Sequence, residues 1–147
     1  MKLKAGELAF NVVETGAGEP ALLFLHYWGG SARTWNMVMS SLSADFRCIA
    51  YDQRGWSGSD APPQGYSIRD LAVDAREILR SLEIQRYVLV GHSMGGKVAQ
   101  FLAAQRPIGL EKLVLVAPAP QRLKTFRHLR GRHSFMLTIT GRTPCKP

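Results

Sequence analysis

LVGHSMGGKVAQ, residues 89–100, decides how the rest of the chain reads. An apolar run leads into Ser93, which has glycines at −2, +2 and +3. Val98, Phe101 and Leu102 then follow at helical spacing as far as Pro107. RYVLVG (86–91) reads as a buried strand, so Ser93 falls on a strand-to-helix junction. A turn that sharp leaves no room for side chains beside it and strains the backbone of the residue at its apex. Gly91, Gly95 and Gly96 keep that space empty. The helix behind Ser93 points its first amides toward the hydroxyl, which favours negative charge there. Ser93 is therefore a candidate nucleophile, and the Met94 amide a candidate donor to an oxyanion. His92 sits too close along the turn to face the Ser93 hydroxyl and is read as a packing residue.

Working outward, the chain alternates. Leu3 to Thr15 reads as a hairpin strand closed by the turn GAGEP. ALLFLH (21–26) and FRCIAYD (46–52) are short, wholly apolar runs, the pattern of strands covered on both faces. Trp35, Val38, Met39 and Leu42 recur at helical spacing, with Trp35 on the core face. Ser67 and Asp70 form a capping-box pair ahead of a stripe of Ile68, Leu71, Ala75, Ile78, Leu79 and Leu82. KLVLVAP (112–118) is one more buried strand. This alternation specifies an α/β fold, a mostly parallel sheet with flanking helices. Right-handed crossovers bring the loops HYWGG, DQRGWSGSD and GHSMGG to one edge of the sheet, where ligands of open α/β sheets bind.

On those loops, backbone amides of HYWGG could share an oxyanion with the Met94 amide, each donor being worth roughly 3–4 kcal/mol in a transition state. Tyr27, Trp28 and Trp56 are candidate walls of an apolar substrate pocket. His26 reads as a residue that fixes its loop by hydrogen bonding. Asp52 and Arg54 are close enough in sequence to pair and pin theirs.

Charge separates the chain into two parts. Residues 1–120 hold 12 of the 19 Lys/Arg and all 11 Asp/Glu, so the body is near neutral. Residues 121–147 hold the remaining 7 basic residues and no acid. The basicity belongs to this segment and assigns no nucleic-acid role to the body. QRLKTFRHLRGRHSFMLTITGRTPCKP shows no strand bounded by turns and no amphipathic stripe. It reads as an irregular basic tail foreign to the domain, as a frame-shifted or mis-spliced end would be. Cys48 lies in an apolar run and reads as a buried thiol, Cys145 lies in the tail, and neither has metal-ligand spacing. No cofactor or metal is expected. With no signal peptide and no apolar run long enough to span a bilayer, the expected compartment is the cytoplasm.

Three motifs in order, HYWGG, DQRGWSGSD and VGHSMGG, resemble those of the α/β-hydrolase fold superfamily, in particular its bacterial esterases, lactonases and cofactor-free haloperoxidases. Residues 3–120 look like the N-terminal half of such a domain. The resemblance implies an oxyanion loop at HYWGG, with the Trp28 amide as donor, and a nucleophile elbow at Ser93. It implies hydrolysis of a small carboxylic ester or lactone through an acyl-serine. Two positions depart from the pattern: Tyr27 replaces the usual glycine after the histidine, and Ser57 stands where a glycine is usual. A serine at the elbow argues against members that use aspartate, the dehalogenases and epoxide hydrolases.

The family's triad continues with an acid and then a histidine. After Ser93 the only acid is Glu111, at the start of a strand and so at the edge opposite the elbow. The later histidines, His128 and His133, lie in the tail. Little or no activity is expected, because a serine without a base is a weak nucleophile. KLVLVAP is expected to be an exposed sheet edge, and the chain to be poorly soluble alone. The alternatives are a non-enzymatic protein whose basic tail contacts nucleic acid or anionic membrane, and a haloperoxidase or C–C hydrolase that shares Ser93.

Overall fold

The computed structural model describes residues 1–117 and the backbone of residues 135–139. Strands β1 (Lys2–Ala5) and β2 (Leu8–Thr15) form a hairpin that turns at Gly6 and Glu7, earlier than the GAGEP turn read from the sequence. β3 (Ala21–Leu25) follows, then a 3-10 turn (Ala32–Trp35) that runs into α1 (Asn36–Leu42). Next come β4 (Cys48–Tyr51), α2 (Ile68–Ser81), β5 (Tyr87–His92), α3 (Met94–Ala104) and β6 (Leu110–Val116). β7 (Phe135–Ile139) closes the series. The sheet order is β1-β2-β4-β3-β5-β6-β7, parallel from β4 through β7, with β1 and β2 antiparallel at one end.

The apolar strand runs are explained by two cores. Along β3, Ala21, Leu23 and Leu25 face the side covered by α2 and α3, whereas Leu22 and Phe24 face the side covered by α1. β5 alternates in the same way, with Tyr87 and Leu89 on one side and Val88 and Val90 on the other. Each fully buried leucine contributes about 1.5–3 kcal/mol relative to exposure. α2 starts at the capping box read from the sequence: Ser67 Oγ accepts from the Asp70 amide at 3.2 Å, and Asp70 Oδ2 accepts from the Ser67 amide at 2.9 Å. It ends in a Schellman motif, in which the Ile84 amide reaches Leu79 O (2.9 Å) and the Glu83 amide reaches Arg80 O (3.0 Å).

Two expectations change at the far edge. β6 is not the outer strand, because β7 pairs with it in parallel from Lys112–Phe135 to Val116–Ile139. The expected absence of a strand after Pro120 therefore does not hold for residues 135–139. The apolar and β-branched run FMLTI, ahead of Gly141, supplies the sheet propensity that a charge-dominated reading overlooks. The rest of 121–147 lies outside the described residues. No helix of the described residues is long and apolar enough to cross a membrane.

Candidate active site

Ser93 joins β5 to α3 with φ 50° and ψ −109°, a backbone conformation that L-residues seldom adopt. Flanking contacts hold it there. The Ser93 amide donates to Val116 O on β6 (3.1 Å), and its carbonyl accepts from the Lys97 amide (3.2 Å). A Cβ on Gly91 would stand 2.5 Å from Gly95 O and 2.7 Å from the Cα of Gly96. A Cβ on Gly95 would stand 2.3 Å from Leu25 O and 2.6 Å from His26 O. The glycines thus let the start of α3 rest directly on the end of β3 and on the HYWGG loop. Met94 is the first helical residue, so its amide has no acceptor within the helix.

HYWGG lies over this junction. His26 is completely buried, and both ring nitrogens are engaged. Nε2 accepts from the Gln53 amide at 3.0 Å, which leaves the proton on Nδ1, and Nδ1 donates to Tyr27 O at 2.7 Å. Burial pushes the His26 pKa below its ordinary value, against the opposing pull of Tyr27 O and the Asp52 charge. The ring is a neutral brace, in line with the loop-fixing role read from the sequence.

The DQRGWSGSD loop is pinned differently from expectation. Asp52 does not pair with Arg54. Asp52 Oδ1 accepts from the Ala32 amide (2.7 Å), and Oδ2 accepts from Asn11 Nδ2 (2.8 Å) and the Gly58 amide (3.0 Å), so its carboxylate ties together three segments. Arg54 turns the other way and grips Asp74 of α2 in a two-pronged pair of 2.5 and 2.6 Å, while also donating to Gly65 O. Those Asp74 hydrogen bonds hold the Arg54 pKa above its ordinary value. The two side chains diverge because the chain turns at Arg54, so the Asp52 carboxylate meets Ala32, Asn11 and Gly58 while the guanidinium reaches α2. The inward Asp74 was hidden among the apolar positions of its helix. Ser57 has φ 46°, which accounts physically for glycine being the usual residue at that position.

The aromatic candidates fall into two groups. Trp28, 71% exposed, meets Trp56 edge-on at 5.0 Å, and Trp56 meets His26 at 6.0 Å. Tyr27 turns instead to His92, at 5.2 Å, and Trp35 lies 6.4 Å from the same ring. His92 is therefore held among aromatic rings, as its reading as a packing residue requires. Trp35 is buried on the α1 side beside Phe24, as expected, although it belongs to the 3-10 turn rather than to the helix. Cys48 is buried. Glu111 pairs with Arg86 at 2.6 Å near the start of β6, at the sheet end opposite Ser93. His128 and His133 lie outside the described residues. Among the described residues no cluster of His, Cys, Asp and Glu is able to hold a metal ion. Sequence reasoning missed Gln53, fully buried between the two loops, and Asn11. A polar residue in a loop carries no signal of burial until the neighbouring loop is placed over it.

A strand-to-helix serine, a loop braced over it and the sheet order define one class of protein. The model of the alpha/beta hydrolase fold family matches residues 20–137, and the chain belongs to that family. It is 37% identical over 109 residues to a putative non-heme chloroperoxidase of Synechocystis, spanning 73% of this chain and 39% of that one. It is 32% identical over 115 residues to epoxide hydrolase 1 of Caenorhabditis elegans, across 76% of this chain and 28% of that one. Among solved structures, E-2-(acetamidomethylene)succinate hydrolase superposes with a TM-score of 0.77 at 34% identity, across 82% of this chain and 44% of that one. The chain thus spans less than half the length of the relatives it matches.

Proposed function

We propose that this chain carries the nucleophile-and-oxyanion part of a serine hydrolase acting on small carboxylic esters or lactones in the cytoplasm. Ser93 Oγ attacks the carbonyl carbon. The Met94 and Trp28 amides receive the oxygen as it takes up negative charge, and Tyr27, Trp28 and Trp56 wall the acyl group. The observation that carries this reading is the strained backbone of Ser93 at the β5–α3 junction, kept open by Gly91 and Gly95. A serine rather than an aspartate at that apex separates this chain from aspartate-using epoxide hydrolases. No metal or cofactor enters the reaction.

The same reading gives the chain, as it stands, little or no turnover. Neither His26 nor His92 serves as base for the serine proton in this reading: the first has both nitrogens engaged, and the second packs its ring against Tyr27 and Trp35. Removing triad members leaves only the roughly 10³–10⁴-fold rate enhancement over water that binding and an oxyanion hole supply. Two probes separate the parts of the reading. A fluorophosphonate reports an activated serine and is expected to leave Ser93 unlabelled. Phenylboronic acid reports an equilibrium, not a rate. A bond forms between Ser93 Oγ and boron, the serine proton leaves to water, and the tetrahedral boron carries the negative charge. An adduct that disappears in Ser93→Ala is expected. Fluorophosphonate labelling confined to Ser93 would overturn the expected inactivity, and absence of the adduct would overturn Ser93 itself.

A further inference from the structure

Two hydrogen bonds converge on the Tyr27 carbonyl of the HYWGG loop, and two more hold His26, which supplies one of them. Tyr27 O accepts from His26 Nδ1 at 2.7 Å and from the Gly30 amide at 3.0 Å. Both lone pairs of that carbonyl are thereby occupied, and its direction is set. The imidazole that holds it is itself fixed, because Nε2 accepts from the Gln53 amide at 3.0 Å. Gln53 Nε2 then donates to His26 O at 2.9 Å, so a single residue of the DQRG loop grips both the ring and the backbone of His26. His26 and Gln53 are both completely buried.

The geometry of the peptide bond carries the consequence. Glu19–Pro20 is the only cis peptide among the described residues, so Tyr27–Trp28 is trans. In a trans peptide the C=O and the following N–H point in opposite directions within one plane. With the Tyr27 carbonyl drawn inward onto His26 and Gly30, the Trp28 N–H is turned outward, and among the described residues it donates to nothing. A Cβ on Gly30 would come 3.1 Å from Tyr27 O and 3.2 Å from His26 Nδ1, so the loop closes tightly around this arrangement.

We infer that His26, clamped by Gln53, is a positioning residue that sets the Tyr27–Trp28 peptide plane and thereby aims the Trp28 amide as an oxyanion donor. The inference rests on the reading of Ser93 and Trp28 given above. Gln53 supplies a second, independent observation. Its Oε1 is buried without a hydrogen-bond partner, a desolvation cost that an apolar side chain of similar size would avoid. A residue whose task was only to fill the space would not need that amide. The clamp sits where α3 begins, since His26 O is also one of the two carbonyls against which Gly95 lies. One residue pair therefore links the oxyanion loop to the elbow.

The two nitrogens of His26 can be tested separately. In His26→Asn the amide nitrogen takes the place of Nδ1 and keeps the bond to Tyr27 O, while the contact with the Gln53 amide is lost. In His26→Gln the terminal oxygen takes the place of Nε2 and keeps the Gln53 contact, while the bond to Tyr27 O is lost. Crystal structures of the full chain and of both variants read the plane directly. The Tyr27–Trp28 peptide is expected to keep its orientation in His26→Asn and to turn in His26→Gln; an unchanged plane in His26→Gln overturns the inference. Phenylboronic acid binding reads the chemical consequence. Affinity is expected to be within about twofold of the starting chain in His26→Asn and about tenfold or more weaker in His26→Gln. Gln53→Met, which retains the backbone amide, is expected to weaken the adduct between these limits. Equal affinity in His26→Asn and His26→Gln overturns the inference while leaving Ser93 standing. If the starting chain forms no Ser93-dependent adduct, the reading of Ser93 fails, and the crystal structures still decide whether His26 sets the plane.

Discussion

Replacing Gly95 with alanine tests whether the elbow is built by backbone contact. The added Cβ would stand 2.3 Å from Leu25 O and 2.6 Å from His26 O. Ordinary carbon–oxygen contacts begin near 3.3 Å, so α3 and the end of β3 would have to separate by about 1 Å. Neither carbonyl can swing aside as a flexible side chain could. Leu25 ends a central strand, and His26 is held by Gln53. Overpacking a well-filled interior costs about 1–3 kcal/mol, and rigid neighbours place this site at the top of that range. Against a total of about 5–15 kcal/mol, a loss of about 3 kcal/mol is a large share of the stability of the fold. The assay is urea unfolding at low protein concentration, where the midpoint should fall by about 1–3 M with the slope unchanged. Gly29→Ala is the internal comparison: nothing lies within 4 Å of its Cβ, and only its φ of 76° opposes a side chain. That backbone cost is about 1–2 kcal/mol. A loss at Gly95 no greater than the loss at Gly29 would refute the close-contact account of the elbow.

Other predictions follow from the same contacts. Glu83 occupies the left-handed position that closes α2, with φ 55° and its side chain exposed, so Glu83→Gly should raise stability by about 0.5–1 kcal/mol; a lower urea midpoint would contradict this. Asp74→Ala leaves the Arg54 guanidinium largely buried without its partner and should cost about 3–5 kcal/mol, whereas Arg54→Met combined with Asp74→Leu should recover most of that loss in thermal melts. Burial lowers the folded-state pKa of His26, so below about pH 6.5 the unfolded chain takes up a proton that the folded chain resists. Stability should therefore be complete above that pH and fall as pH drops below it, and the fall should be smaller in His26→Asn; an identical pH slope in the two proteins would count against a neutral His26. On the α1 side, Val114 and Val116 are only partly buried, so sedimentation should show association that grows with concentration and weakens in Val114→Thr/Val116→Thr, and a monomer at all concentrations would oppose this.

How far the sequence could be read depended on the range of the interaction involved. The elbow was legible because its determinants lie within five consecutive residues: the glycines at 91 and 95 are needed by the turn they flank. The capping box at Ser67 and Asp70 was legible for the same reason, and the two-core alternation of β3 and β5 followed from strand geometry alone. The pairing of Arg54 was misread because a contact between residues two apart seemed simpler than one with Asp74, twenty positions later. β7 was missed because charge dominated the reading of the last residues and hid FMLTI.

By itself, then, the sequence determined the alternation of strands and helices, the α/β class, the strand-to-helix serine and the three loops that gather at one sheet edge. These follow from periodicity, turn stereochemistry and the handedness of parallel crossovers, all of which act over short stretches of chain. Only the tertiary structure decided that Asp52 ties β2 to two loops, that Gln53 clamps both ring and backbone of His26, and that the Tyr27–Trp28 peptide faces as it does. Such choices depend on which distant groups come within about 3 Å of a buried donor or acceptor, where most polar groups find a partner. No local pattern of residues encodes that distance.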